Sequence, residues 1–262
     1  MVAFSAFTTV ADEQVVPTVS RRVRPDVPRL LGERIRPLVL SRDELLAAAP
    51  PFAELLGTPG IRRGSTLAVV SAGVGGATSV ALGLVARASA TGSWCAAVGM
   101  ENLGCVAASE FGLALDRLIL VPRPGRRAST VVAALLDGCD IVLVSSALSA
   151  PDRRRLSARA RERRSVLVQL VGAESATTYS NEGRPGGVDV CLSVTKSAFT
   201  GLGQGIGRVC GHRVDVVATR RSASPREVSA AIWFAPPSEG KESLEISAET
   251  TTDEPELKVS MQ

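Results

Sequence analysis

The sequence is poor in the residues on which most catalytic sites are built. It has one histidine, His212, so a Ser-His-Asp hydrolase or a multi-histidine metal centre would have to hang on that single ring. His212 stands beside Arg213 at the head of a strand-like segment and reads as a turn or surface residue. Aromatic side chains are 3% of the chain, too few for a base-stacking platform. The five cysteines (Cys95, Cys105, Cys139, Cys191 and Cys210) are odd in number and include no CxxC pair. They read as reduced, buried thiols, not as a disulfide framework or a zinc site. No apolar run reaches the roughly 18 residues that a membrane helix needs. The opening MVAFSAFTTVADEQ has neither a basic n-region nor a long apolar h-region, so no secretory signal is expected and the expected compartment is the cytoplasm. No cofactor and no metal are expected.

Lysine is scarce as well. Of 30 basic residues only Lys196, Lys241 and Lys258 are lysines, and the rest are arginines. With abundant Ala, Gly and Val this is the bias of a GC-rich genome, so arginine richness alone carries little functional weight. The charge is nevertheless uneven. From Pro236 onward seven acids face two lysines, a net of −5, which leaves +9 on residues 1–235. A basic body suits nucleic acid or an acidic partner. Three regions follow: a poorly ordered extension over residues 1–40, a core over 41–235, and an acidic, Ser/Thr-rich tail over 236–262 expected to be disordered.

The core alternates strand and helix patterns. Ser41 can cap a helix through DELLAAA, with Asp43 and Glu44 in its first turn, and Pro50 and Pro51 end it. A short helix over 52–56 stops at Gly57. Strand-like runs at 67–71, 94–98, 118–121, 140–146 and 165–171 are separated by helical patterns at 77–90, 103–112, 129–138 and 151–164. Ser129 is the expected cap of the third of these helices, and Pro151 opens the fourth. Such alternation implies βαβ units and a mostly parallel sheet flanked by helices. After the polar stretch 173–187, three β-branched segments at 188–197, 206–220 and 228–236 predict an antiparallel extension on one edge.

A strand, a glycine-rich turn and a helix make the setting of a phosphate-binding loop, whose pattern is G-x-x-x-x-G-K-[ST]. Here the segment runs from Ser71 to Ser79. Gly73, Gly75, Gly76 and Thr78 are in place, but the first glycine is Ser71 and the lysine is Ala77. The metal-anchoring aspartate expected at the end of the strand DIVLVSS is Ser145. Without the lysine nothing in the loop faces the γ-phosphate, and without the aspartate the Mg²⁺ loses an anchor. These residues therefore read as a degenerate and inactive nucleotide site.

Taken together, GIRRGSTLAVV (60–70), ATGSWCAAVGMEN (90–102), FGLALDRLIL (111–120) and HRVDVVATRRSASPREVSAAIWF (212–234) resemble the core of the RecA recombinase family over roughly residues 52–235. The resemblance implies a RecA-like, P-loop-type fold. It places Glu101 at the family's catalytic glutamate, a remnant with no cradle to work against. Family lysines of the late hairpin fall near Asp215, Ala218 and Arg220. The first DNA-binding loop is missing between Ser145 and Pro151, and the second would be the short 173–187. RRGST, TGSWCAAVG, LALDRLILVP and VVAALLDGCDIVLV resemble the ATPase-less ImuA family more closely, in particular its shortened actinobacterial form, ImuA-prime.

That likeness implies a non-enzymatic accessory or adaptor protein in the SOS response to DNA damage. It would act in SOS mutagenesis and translesion synthesis, a branch of damage tolerance grouped with DNA repair. The implied partners are an ImuB-like inactive Y-family polymerase homologue, an error-prone C-family polymerase and single-stranded DNA. Two other readings are a residual ATP-binding RecA-like repair protein using Gly73 to Thr78 with Glu101, and a SulA-like inhibitor of cell division. Candidate DNA or partner contacts are Arg123, Arg126 and Arg127 after a parallel strand, and Arg153, Arg154, Arg155, Arg159 and Arg163 on the helix 151–164. Trp233 and Phe234 near the end of the hairpin are candidate docking anchors.

Overall fold

The computed structural model describes residues 44–71, 73–172, 187–202, 207–221, 227–235 and 245–249. The extension expected over residues 1–40, and all but the last residue of the loop expected over 173–187, lie outside them. The elements in chain order are β1 (Leu45–Ala47), α1 (Pro50–Leu56), β2 (Gly60–Arg62), β3 (Thr66–Ser71), α2 (Ala77–Ala90), β4 (Cys95–Val98), α3 (Cys105–Glu110), β5 (Leu118–Val121), α4 (Ala128–Gly138), β6 (Ile141–Val144), α5 (Ala150–Arg163), β7 (Val166–Val171), β8 (Val190–Leu202), β9 (Gly207–Arg220), β10 (Glu227–Ala235) and β11 (Glu245–Glu249).

One nine-stranded sheet runs β11-β10-β9-β8-β3-β7-β6-β4-β5. From β8 to β5 neighbouring strands are parallel, and from β8 outward to β11 they are antiparallel. The α/β architecture with an antiparallel extension on one edge is the one expected. Strands β3, β4 and β6 are buried along their whole length, as continuous apolar runs covered on both faces should be. On one face Phe52 and Leu55 of α1 and Val80 and Leu84 of α2 pack on Leu67, Val69, Leu143, Val168, Leu192 and Val214. On the other, Val132 and Leu136 of α4 with Leu156 and Ala160 of α5 cover Ala96, Val98, Val142 and Val144. Each large aliphatic side chain removed from water there contributes about 1.5–3 kcal/mol. Among the described residues no helix is long and apolar enough to cross a membrane.

Three local expectations are corrected. The helix placed from Ser41 through DELLAAA does not form over its described part: Leu45–Ala47 is β1, paired antiparallel with β2, and residues 41–43 lie outside the described residues. A residue before proline is pushed away from the helical region, and Ala49, at φ −68° and ψ 151°, is extended. Pro50 and Pro51 then begin α1 instead of ending a helix, because the first turn needs no N–H from either. Ser129 is not a cap: a 3₁₀ turn over Gly125–Arg127 runs into α4, which starts at Ala128. The tail expected to be disordered contains β11, whose Ile246 packs on the core beside β10.

Candidate functional site

The carboxyl ends of β3, β6 and β7 meet at the point where neighbouring strands are connected in opposite directions, the place where open α/β sheets bind ligands. A cleft of about 380 Å³ opens there. It is lined by Ser71 at the end of β3, by Gly73, Gly75, Gly76, Ala77 and Thr78, by Ser145 beyond β6, and by Leu170, Val171 and Gly172 at the end of β7. Five of the six positions of a degenerate phosphate site thus share one cleft: the three glycines, Thr78 and, at the aspartate position, Ser145. The sixth, Glu101, is not in its lining.

The loop's shape follows from its glycines. Gly73, Gly75 and Gly76 have φ of 90°, 81° and 80°, a region that side chains with a Cβ rarely adopt. Ser71 Oγ donates to the Gly75 carbonyl at 3.0 Å and closes the turn. Gly76 caps α2, accepting the Val80 N–H at 3.0 Å, and no side chain caps that helix. The amides of its first turn therefore have no intrahelical acceptor. What is lacking is charge: no Lys, Arg, Asp or Glu lines the cleft among the described residues. Among the described residues a triphosphate placed there would meet backbone dipoles and the hydroxyls of Ser71, Thr78 and Ser145, and no charged side chain.

One wall of the loop was not legible in the sequence. A Cβ on Gly76 would stand 3.4 Å from Ser197 Oγ and 3.3 Å from Val214 Cγ1, so the β8–β9 pair presses directly on the turn. Ser197 Oγ lies 2.8 Å from His212 Nε2, and the His212 ring stacks on Phe199 with centroids 4.1 Å apart. His212 is therefore a buried histidine at 7% exposure and not a surface one, and burial lowers its pKa below the ordinary value. Phe199 lies opposite His212 in the β8–β9 register, but thirteen residues separate the two in the chain, so no local pattern announces the pair.

The arginine candidates separate. Arg123 Nε sits 3.0 Å from Glu101 Oε2, which joins two predicted residues in an exposed ion pair at the carboxyl edge. Arg126 and Arg127 are exposed in the 3₁₀ turn beside it. On α5, Arg159 grips Asp137 of α4 through Nε at 2.9 Å and also donates to the Ala133 carbonyl at 3.0 Å. Arg163 Nε reaches the same carboxylate at 3.0 Å. The hydrogen bond from Arg159 is the main reason the Asp137 carboxyl is held below its ordinary range. Arg155 pairs with Asp152 at 3.3 Å, and Arg153 donates to the Leu148 carbonyl at 2.7 Å. Arg154 is exposed. The helix is thus largely engaged in fastening itself to the domain, not in presenting a bare cationic row.

The hairpin aromatics also part company. Phe234 is buried at 2% exposure, 5.2 Å from the Phe111 ring centroid, so it is a core residue and not a docking anchor. Trp233 points to the opposite face, half-buried over Gly211, where a Cβ would stand 2.5 Å from its ring. Among the described residues no group of His, Cys, Asp and Glu is placed to hold a metal ion.

Residues 54–175 match the family described as the MT3502 N-terminal domain, which takes in the chain from α1 to just past β7. The sequence is also 34% identical over 148 residues to the uncharacterized protein Rv3395c of Mycobacterium tuberculosis, an alignment covering 54% of this chain and 69% of that protein.

Proposed function

The chain belongs to the same family as the mycobacterial Rv3395c, and from that premise we propose that it works by docking and not by nucleotide chemistry. In this reading it is a RecA-like accessory protein of the ImuA type, acting in the cytoplasm in SOS-induced translesion synthesis and mutagenesis. It holds an ImuB-like inactive polymerase homologue together with an error-prone C-family polymerase, and meets single-stranded DNA as a secondary ligand. The observation that carries the reading is the cleft at the carboxyl edge. It keeps the strand–glycine turn–helix geometry of a phosphate loop, yet among the described residues its lining holds neither a cation for the γ-phosphate nor a carboxylate for Mg²⁺. Glu101, the acid that the RecA resemblance would use to prime a water, pairs with Arg123 instead.

A docking protein needs an accessible surface, and β5 is the best supported one. Among the described residues it pairs with β4 alone, so one side of its backbone is open. Its sequence is LILV, with Ile119 and Leu120 each 37% exposed. Apolar edge strands are normally blunted by charge or proline, and an unblunted one is a template for strand addition by a partner. In this proposal an extended segment of the ImuB-like homologue occupies that edge. The test is co-expression of the full chain with the ImuB-like protein of the same genome, followed by size exclusion. Wild type is expected to co-elute, and the double variant Ile119→Lys/Leu120→Lys to elute alone while keeping its fold. Absence of a wild-type complex at micromolar concentration and low salt overturns the proposal.

A further inference from the structure

The amino-terminal edge of the sheet, opposite the glycine loop, carries a second and larger cleft of about 580 Å³. Five arginines line it: Arg62 at the end of β2, Arg63 in the turn to β3, Arg161 near the end of α5, Arg220 at the end of β9 and Arg221 just after it. Asp189 is the only acid in the lining among the described residues, and it is largely used. One of its carboxylate oxygens accepts the Thr66 N–H at 2.9 Å, and the other is 3.7 Å from Arg161. Arg63 is matched by Asp140 at 2.7 Å. Arg62, Arg220 and Arg221 have no carboxylate partner among the described residues, so three positive charges stand uncompensated around one concavity.

The packing points the same way. The Arg220 guanidinium lies so tightly against Gly57, the left-handed cap of α1, that any Cβ there would overlap it. Its Nε is buried and has no hydrogen-bond partner. A buried charged donor without an acceptor is costly, and an anion in the cleft would supply the acceptor. Gly64, at φ 78°, brings the β2–β3 turn to within 3.3 Å of the Arg161 backbone, measured from an added Cβ, which fixes the two arginine-bearing elements together.

We infer that this cleft is a binding site for phosphate groups, held by the forks of Arg62, Arg220 and Arg221. Planar guanidinium groups match phosphate oxygens two by two, and among the described residues the lining contains no lysine and no aromatic ring. Without a stacking surface the site takes the phosphates and leaves the base unread, so recognition is independent of sequence. The same chemistry fits a nucleic-acid backbone or a free polyphosphate. The inference rests on the cleft alone and stands apart from the docking proposed on β5.

The test uses full-length protein and two probes: a labelled oligo-dT followed by fluorescence anisotropy through a salt series, and inorganic pyrophosphate followed by calorimetry. The variant Arg62→Glu/Arg221→Glu changes two exposed side chains, and circular dichroism confirms that it folds. Arg87→Glu/Lys196→Glu, at two exposed positions outside the cleft, is the charge-matched control. The first variant is expected to weaken oligo-dT binding at least about tenfold more than the control. It should also flatten the slope of log affinity against log salt by about 1.4, two phosphate contacts at ~0.7 each on a single strand. Arg220→Lys, which keeps the charge and loses the fork, should weaken binding several-fold and leave the slope unchanged. Loss with oligo-dT assigns the site to a nucleic-acid backbone, and loss confined to pyrophosphate assigns it to a free polyphosphate. Equal losses in the variant and its control overturn the inference, as does no binding of either probe. Displacement of both probes by a glutamate-rich peptide at lower concentration than pyrophosphate would also overturn it, in favour of an acidic peptide.

Discussion

Gly83 lies in the middle of α2, where replacement by alanine would stabilise an exposed helix by about 0.8–1.0 kcal/mol. The packing around it reverses that sign. An alanine Cβ at position 83 would stand 2.7 Å from Phe234 Cε1 and 3.1 and 3.2 Å from Phe52 Cε2 and Cζ. Neither ring can swing aside cheaply, since Phe52 is 0% and Phe234 2% exposed and Phe234 also abuts Phe111. Overpacking of this kind costs about 1–3 kcal/mol. With one contact well inside van der Waals distance the upper part of that range applies, and the net effect of Gly83→Ala is a loss of about 1–2 kcal/mol. Urea unfolding followed by far-ultraviolet circular dichroism reads it as a lower midpoint at unchanged slope. Adding Phe234→Leu should relieve the clash, so the double variant should lose less than the sum of the single losses. A Gly83→Ala protein more stable than wild type by ~1 kcal/mol would refute this packing of α1, α2 and β10.

Other predictions concern the site and the titrating groups. Cys95, Cys139 and Cys191 are buried, and burial pushes the Cys95 thiol up to about 12, whereas Cys105 and Cys210 are exposed. Native protein should therefore react quickly with a thiol reagent at two of its five cysteines, and denatured protein at all of them. The pKa of His212 is lower in the folded state than in the unfolded chain. Its contribution is neutral above the ordinary value near 6.5 and destabilising as pH falls below it, because the unfolded state then binds the proton first. Denaturant midpoints should fall between pH 7.5 and 5.5 more steeply in wild type than in His212→Gln. For Asp137 the sign is opposite in origin: a carboxyl held low by Arg159 stabilises above the ordinary carboxylate range and is lost on acidification. Asp137→Asn should thus reduce stability at neutral pH and flatten the acid limb of the profile. ATP with Mg²⁺ should show no turnover, and Glu101→Gln should change nothing. Turnover abolished by that substitution would restore the nucleotide reading.

Much of this architecture is legible in the sequence because its elements carry local signals. The helix over 77–90 and the strand over 118–121 fall at the expected residues, each bounded by glycine, proline or polar turns. The helix expected from Ser41 gives way to a non-local pairing, β1 with β2, that no capping pattern announces; the restriction before Pro50 acts on Ala49 alone. β11 was hidden because EISAE has one large apolar residue among acids and small polar groups. Its identity as a strand comes from its pairing with β10, which is non-local. The glycine loop with Ser145 was readable as a site because its spacing is contiguous on each strand. The Ser197–His212–Phe199 wall was not, since it depends on the register of two long antiparallel strands. The arginine cleft was least visible of all. Its residues come from positions near 62, 161 and 220, and in an arginine-rich chain no one of them stands out.

The central claim is docking without nucleotide. Its most direct measurement is the dissociation constant between the full-length chain and its ImuB-like partner, determined with and without ATP and Mg²⁺, for wild type and for Ile119→Lys/Leu120→Lys. The expected result is one affinity in the presence and absence of nucleotide, lost by tenfold or more when the β5 edge is charged. Affinity that depends on ATP, or that is indifferent to charge on β5, would contradict it.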